Sequence, residues 1–363
     1  MLKAFEYKLE PNKARRYAFA RTLDVCRELY NDALQQRKWQ RISRYEQSEQ
    51  LTILKTEVPV YKHVYSQVLQ NVLDRLDKSF KNFLHYGFGF PRFKSASRFH
   101  SFTYPQSGFS LEGKYLKLAK IGNVKVRLSR PLPEGAKIKT CTIKQTVNGW
   151  FAVLVADVPV QPLPACNMKI GIDVGIENYA ALRDGTMIQN PRFYENGQAE
   201  LKRAQRRVAR RKKGSHRRAK AVILLRKVQA RIAKRRLDWL QKTTTKLIRK
   251  YGKIVVENLN VKGLAQGILS KQVNDASWGT FFRMLDWKAE SAVNRAIEYV
   301  PCQYTSQDCP RCGNREKKLL SQREHKCSVC GYRTHRDTAA AQSILARIEP
   351  SGTNVGEGIP CVA

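Results

Sequence analysis

Two CxxC pairs, Cys309-Pro-Arg-Cys312-Gly and Cys327-Ser-Val-Cys330-Gly, stand 14 residues apart in this chain. Each supplies two thiolates from one tight turn, and the glycine that follows tolerates the left-handed backbone such a turn needs. Together they complete a tetrahedral set of four thiolates, so this stretch is expected to fold around a metal rather than around an apolar core. A duplicated thioredoxin-type redox motif is the nearest alternative, and it lacks the flanking βαβ pattern. The expected occupant of Cys309, Cys312, Cys327 and Cys330 is one structural Zn2+. Four thiolates leave no coordination position for water, so that ion organises the fold and any reaction must use other residues.

The other five cysteines, Cys26, Cys141, Cys166, Cys302 and Cys361, are scattered through 363 residues. That is no disulfide framework, and a reducing cytosol suits it. The length allows two or three domains, and 42% hydrophobic residues is the content of a folded protein. Charge narrows the class of partner: 67 Lys+Arg against 30 Asp+Glu leave +37, far more than solubility requires, so a polyanion is expected. There is no apolar run near 18 residues, no secretory leader and no lipidation signal, which favours nucleic acid over a membrane surface.

Along the chain, Phe19, Leu23, Cys26, Tyr30 and Ala33 recur at helical spacing within residues 11–41, as do Leu69, Val72, Leu76, Phe80 and Phe83 further on. The spacing predicts two helices packed on each other. Residues 86–105, "YGFGFPRFKSASRFHSFTYP", then interleave Phe and Tyr with Arg92, Lys94, Arg98 and His100. Rings among cations suit base stacking with phosphate contact, and they equally suit a loop that tucks its rings into a core. Residues 114–158 alternate as strands, with Asn148-Gly149 marking a hairpin turn. Pro159, Pro162 and Pro164 mark a linker.

Residues 202–236 hold 17 Lys or Arg in 35 positions and no acid, broken by "KKGSH" at 212–216. The pattern predicts a helical hairpin, and self-repulsion at that density points to a phosphate backbone as its partner, with Arg206, Arg207, Arg210 and Arg211 among the contacts. The segment after Pro350 has no periodic pattern and is expected to be flexible.

Nucleic-acid cleavage assisted by paired divalent cations, about 4 Å apart, needs hard oxygen ligands on rigid elements. Three carboxylates meet that description. "MKIGIDVGIENYAALRDG" reads as strand, turn and strand with Asp173 at the centre or edge of the first strand, where an acid is costly unless it binds something. In "YGKIVVENLN" the short apolar strand Ile254–Val256 ends in Glu257. Asp337, in "THRD", precedes a short amphipathic helix carrying Ala340, Ile344 and Leu345. Taken singly, Asp337 could be a helix cap and Glu257 a surface acid at a strand end. Strand-Asp, strand-Glu and helix-Asp in that order is the arrangement of an RNase H-like metal site.

"GIDVGIENYAAL", "VVENL", "TSQDCPRCG" and "CSVCGYRTHRD" with its alanine run resemble the TnpB (OrfB) family of bacterial insertion sequences, relatives of the compact type V CRISPR effectors. The similarity covers most of the chain, because the N-terminal helical region, "FPRFKS" and the basic hairpin come in the expected order. The resemblance implies an α/β multidomain protein acting as an RNA-guided DNA endonuclease beside a short target-adjacent motif. It implies a wedge β-barrel (1–10 and 88–165) interrupted by a helical recognition domain (11–87). An RNase H-like RuvC nuclease domain (166–300 and 334–350, with the basic hairpin at 198–250), an inserted four-cysteine zinc module (301–333) and a flexible tail (351–363) would follow. By position Asp173, Glu257 and Asp337 match the RuvC triad, holding two Mg2+ with Mn2+ able to substitute. The implied partners are a guide RNA from the transposon end, one per chain, and double-stranded target DNA, in the bacterial cytoplasm and on the nucleoid when DNA is bound. Many members carry Asn two residues after the last Asp, where this chain has Ala339. An intact triad argues against the nuclease-inactive repressors of the family. Strand transfer by a transposase is the remaining alternative.

Overall fold

The computed structural model describes residues 1–160, 162–319 and 321–348; the expected tail and Cys361 lie outside the described residues. The chain divides into two compact units, Met1–Pro159 and Val160–Ala363.

The first unit opens with β1 (Leu2–Glu10), whose alternate residues Phe5, Tyr7 and Leu9 are buried. Three helices follow: α1 (Lys13–Trp39), α2 (Arg44–Glu57) and α3 (Ser66–Tyr86). Asn12 accepts from the Arg15 N–H to start α1, Ser43 and Glu46 cap each other's backbone at α2, and Gly87 ends α3 in the left-handed region at φ 65°. The chain then adds β2 (Ser101–Tyr104), β3 (Phe109–Glu112), β4 (Tyr115–Leu118), β5 (Gly122–Arg127), β6 (Lys137–Thr146) and β7 (Gly149–Asp157). These make one antiparallel sheet in the order β2-β6-β7-β1-β5-β4-β3, so the first strand lies in its middle. The turn between β6 and β7 falls at Val147-Asn148, one residue before the predicted Asn148-Gly149, because Thr146 pairs with Gly149, which opens β7 at φ 114°. The outermost strands approach each other, since Tyr104 of β2 meets Phe109 of β3 with ring centroids 6.3 Å apart.

In the second unit β8 (Lys169–Val174), β9 (Asn178–Leu182) and β10 (Met187–Gln189) precede a hairpin of α4 (Phe193–Ala209) and α5 (His216–Lys250). β11 (Lys253–Glu257), α6 (Val261–Leu264), α7 (Ser270–Ala276), α8 (Trp278–Ala292) and β12 (Ala296–Val300) come next, then β13 (Glu324–Lys326), β14 (Arg333–His335) and α9 (Arg336–Ala346). The sheet order is β10-β9-β8-β11-β12, with β8, β11 and β12 mutually parallel and β9 and β10 antiparallel. β11 is buried along Ile254, Val255 and Val256, as expected of a strand covered on both faces. Ile170, Ile172, Ile254 and Val256 face a core that includes Leu247 of α5 and Phe281 and Leu285 of α8. Val255 and Val300 face Ile344 and Leu345 of α9. Among the described residues no helix is long and apolar enough to cross a membrane.

Candidate active site and metal centre

Strand register brings the first two carboxylates together. Ile172 pairs with Val256 across the parallel strands β8 and β11, so the next residues, Asp173 and Glu257, stand side by side on neighbouring strands about 4.8 Å apart. They share the face of Gly171 and Val255, which is the face that α9 covers. At Gly171 the helix comes very close: a Cβ there would lie 2.0 Å from the Ala341 carbonyl oxygen. Asp337 is one helical turn from Ala341, about 6 Å along the helix. Asp173 is two residues from Gly171, about 6.6 Å along the strand. The Asp337 charge acts on the Asp173 carboxyl, so of the two directions these displacements could take they run the same way, the start of α9 meets the end of β8, and the third carboxylate joins the pair.

Electrostatics agree with that placement. Burial, then the Glu257 and Asp337 carboxylates, push the Asp173 carboxyl well above the usual range, and the Arg336 guanidinium opposes them. Burial also raises Glu257, against a hydrogen bond from Thr305 and the charge of Arg347. Burial thus disfavours the bare anions of Asp173 and Glu257. Three carboxylates gathered there offer an all-oxygen donor set that fits hard cations such as Mg2+ or Mn2+. The helix cap is supplied by His335, whose Nδ1 accepts from the Asp337 N–H at 3.2 Å, so the Asp337 carboxylate is not spent on capping. Thr305 and Arg347 escaped the sequence reading. Their partner lies tens of positions away, and nothing local in "TSQDCPRCG" announces that the threonine reaches Glu257.

The four cysteines form a tighter cluster. All four sulfurs lie within 4.8 Å of one another, with Cys309–Cys330 at 3.7 Å and Cys312–Cys327 at 3.5 Å. A tetrahedron with metal–sulfur bonds of about 2.3 Å has corners about 3.8 Å apart, so the set fits a zinc-sized ion. The turns are the expected ones: the N–H groups of Gly313 and Gly331 donate to the carbonyls of Cys309 and Cys327 at 2.9 and 3.1 Å, with φ 72° and 68°. The backbone N–H groups of Cys330 and Val329 point at Cys327 and hold its thiol down to about 6. Among the described residues this is the one group of three or more Cys, His, Asp or Glu gathered at ligand distance; the carboxylates stand further apart.

The basic segments divide. The side chains of Arg206 and Arg207 in α4 and of Arg210 just after it are exposed, and with Arg203 and Arg211 they line one groove of the hairpin. Among the described residues the ion pairs of the 202–236 run are Arg231–Glu200 and Arg236–Asp275, which leaves those arginines without acidic partners. Arg218 is structural instead, donating to the carbonyls of Val208 and Arg211 at 2.8 and 3.1 Å across the hairpin turn. In the aromatic segment both readings hold a share. Phe99 is buried against Tyr30 and Arg75, and Phe90 packs edge-on to Phe80 and Phe83. Arg92, Arg98, Phe88 and Phe93 remain exposed, whereas Lys94 is half-buried, its backbone paired with the Asn31 amide at 2.8 and 3.0 Å.

Three family descriptions match this chain. Residues 151–267 match OrfB_IS605, described as "Probable transposase", and residues 278–344 match the "Cas12f1-like, TNB domain". Residues 1–50 match a "Helix-turn-helix domain" of the OrfB_IS605 series, although here they fold as β1, the single long helix α1 and the start of α2. A Streptomyces pristinaespiralis protein named "Putative RNA-guided DNA endonuclease" is 35% identical over 357 residues, covering 95% of this chain and 89% of its own. InsQ of Escherichia coli K12, with the same description, is 30% identical, covering 95% and 92%. Among solved structures, Cas12f1 in complex with sgRNA and target DNA aligns with a TM-score of 0.57 at 13% identity, over 90% of this chain and 81% of that one. CasPhi-2 (Cas12j) bound to crRNA and phosphorothioate-DNA aligns with a TM-score of 0.51 at 10% identity, over 95% and 91%. At those identities the likeness establishes a shared fold.

Proposed function

The chain belongs to the OrfB (TnpB) family of insertion-sequence proteins, and from that membership we propose that it is an RNA-guided DNA endonuclease that cuts through Asp173, Glu257 and Asp337. The observation that carries the cleavage site is the β8–β11 register, which sets Asp173 beside Glu257 under the start of α9. The five-stranded sheet with α9 on one face is the RNase H-like RuvC domain of this reading, and the four-cysteine stretch is the zinc module inserted before its last helix. The first unit is read as a wedge barrel carrying an inserted helical recognition domain over α1, α2 and α3. The curling of its sheet at Tyr104 and Phe109 supports a barrel.

Guide RNA and target DNA are the partners, with sequence chosen by RNA–DNA pairing and the protein holding backbone and shape. The exposed arginines of α4 and the cationic loop with Arg92 and Arg98 are the proposed phosphate contacts. Divalent cations, a pair of Mg2+ in this reading, would supply Lewis acidity for the attacking water and the leaving 3′-oxygen. Asp173 and Glu257 hold ligand oxygens at the ends of adjacent strands, and Asp337 adds a third from the helix. Arg336 balances part of their charge. Thr305 aims the Glu257 carboxylate. Zinc on four thiolates takes no part in the chemistry and braces the segment that returns Asp337 to the sheet.

The test co-expresses the chain with its flanking DNA, sequences the RNA that copurifies, and offers matching DNA with a randomised flank and Mg2+. The expected result is one discrete RNA and cuts beside one enriched motif, abolished in Asp173→Ala with RNA binding retained. Cutting by Asp173→Ala removes the site assignment. Protected but uncut DNA in the parent chain makes it a guided repressor. The family's description as a transposase keeps one further outcome in view, joined strands with paired transposon ends, which would make it a strand transferase.

A further inference from the structure

We infer that Thr305 is a positioning residue: its hydroxyl fixes the Glu257 carboxylate, and through it the four-cysteine module sets the geometry on which cation binding depends. The inference rests on Asp173, Glu257 and Asp337 being the cation ligands.

Glu257 is 8% exposed and Thr305 4%, so the contact between them is sheltered from water. The Thr305 hydroxyl donates to Oε1 of Glu257, and its oxygen also lies 3.2 Å from the Cys302 carbonyl. Among the described residues Thr305 is the hydrogen-bond donor to this carboxylate, while Arg347 acts on it by charge. A glutamate at a strand end keeps side-chain torsions free unless something holds the head group. The hydroxyl holds one oxygen and leaves the other for a ligand.

What places Thr305 is the module beside it. The carbonyl of Tyr304 accepts from the N–H groups of Gln307 and Asp308, both at 2.9 Å, which closes the turn carrying Thr305. Asp308 next along is tied on three sides. Arg315 Nε meets its carboxylate at 2.6 Å, Arg347 approaches it at 3.3 Å, and the Ser343 hydroxyl of α9 donates to its carbonyl at 3.1 Å. The following residue is Cys309, whose N–H donates to the Asn314 carbonyl at 2.8 Å inside the first knuckle. At the other end of the module β14 runs straight into α9, which carries Asp337. One small module therefore braces two of the three carboxylates, Asp337 through chain continuity and Glu257 through one hydroxyl.

Partners that orient a metal ligand matter to affinity: losing one typically costs about 10–100-fold in metal binding or activity. Thr305→Val keeps the shape and removes the donor, and Thr305→Ser keeps the donor. Both are compared with the parent and with Asp173→Ala, as RNA-bound full chains, by Mn2+ binding from water-proton relaxation and by the Mn2+ midpoint of DNA cleavage. Mn2+ bound to RNA is common to all samples, so the site is read as the excess over Asp173→Ala. The expected result is a midpoint raised about 10–100-fold in Thr305→Val by both readouts, at parental zinc content and DNA affinity, with Thr305→Ser restored. Parental midpoints in Thr305→Val overturn the inference and leave the site assignment standing. No excess of the parent over Asp173→Ala overturns the site assignment, and the inference with it. If Thr305→Val is purified without zinc, Thr305→Ala, which adds no bulk, is judged by the same criteria. Loss of zinc there too makes Thr305 a folding residue and overturns the inference.

Discussion

The carbonyl oxygen of Ala341 in α9 stands 2.0 Å from where a Cβ of Gly171 in β8 would be, and the Leu345 N lies 3.0 Å from the same point. A missing side chain thus sets how deeply α9 seats on the sheet, and that depth sets the reach of Asp337 towards Asp173. The atoms in the way belong to helix backbone, which cannot turn aside as a side chain can. Gly171→Ala should cost about 1–3 kcal/mol by overpacking, measured by denaturant unfolding. Its cleavage rate should fall further than stability explains, because the helix moves off with its carboxylate. A variant that cuts at the parental rate while folded would show that α9 does not set the site's geometry.

The cysteine cluster predicts zinc at about one ion per chain. Cys309→Ser removes a buried ligand and should lose the metal together with the melting temperature it supports, since metal binding to such a module is part of its folding free energy. Elemental analysis and thermal unfolding give the result. Full zinc content in the variant would rule out a four-thiolate site.

What was legible in the sequence was local. A CxxC turn and its glycine need no partner to be recognised, and an apolar strand ending in an acid is visible in five or six residues. The hairpin break at Gly214 was equally plain, and the structure has that glycine at φ 84°. Register was not legible: Asp173 and Glu257 meet because β8 pairs with β11 across a long helical hairpin. Helix α2 was missed for a simple reason, since it buries only Gln47 and Leu51 and shows almost no apolar stripe. The cation-rich aromatic segment was ambiguous because its end, Ser101–Tyr104, is a strand that buries Phe102 and Tyr104 while its middle stays exposed. Thr305 could not be found by pattern, because it lies in a turn and its role depends on a carboxylate at the end of β11.

Lys288 of α8 makes the unit's stability rise with pH in the alkaline range. Its ammonium donates to the Gln241 carbonyl at 2.7 Å and to the Thr244 and Thr245 hydroxyls at 2.8 and 2.6 Å. Burial, with Arg249 nearby, pushes its pKa down to about 8. In the unfolded chain a lysine titrates at about 10.4. Between those values the unfolded chain binds a proton that the folded chain lacks, so this contribution to stability grows as pH rises through the window and is lost as pH falls through about 8. Unfolding midpoints of the parent and Lys288→Met, measured from neutral pH to the lysine range, should diverge in the parent's favour as pH rises. Parallel curves would remove Lys288 as the source.

The arginine groove of the α4–α5 hairpin should be read through salt. Arg206, Arg207, Arg210 and Arg211 lack acidic partners among the described residues, so the free hairpin carries their repulsion until an anion neutralises it. Each phosphate contact contributes about 0.7 to the logarithmic salt slope on a single strand and about 0.9 on a duplex. Replacing all four by Gln should therefore weaken RNA or DNA binding and flatten the slope by about 3. Arg231→Gln is the control, because its guanidinium is already paired with Glu200 at 2.9 Å. Filter binding over a salt series, with each nucleic acid separately, also tells which of the two the groove holds. Weaker affinity with an unchanged slope for both would mean the arginines support the hairpin's fold and contact no phosphate.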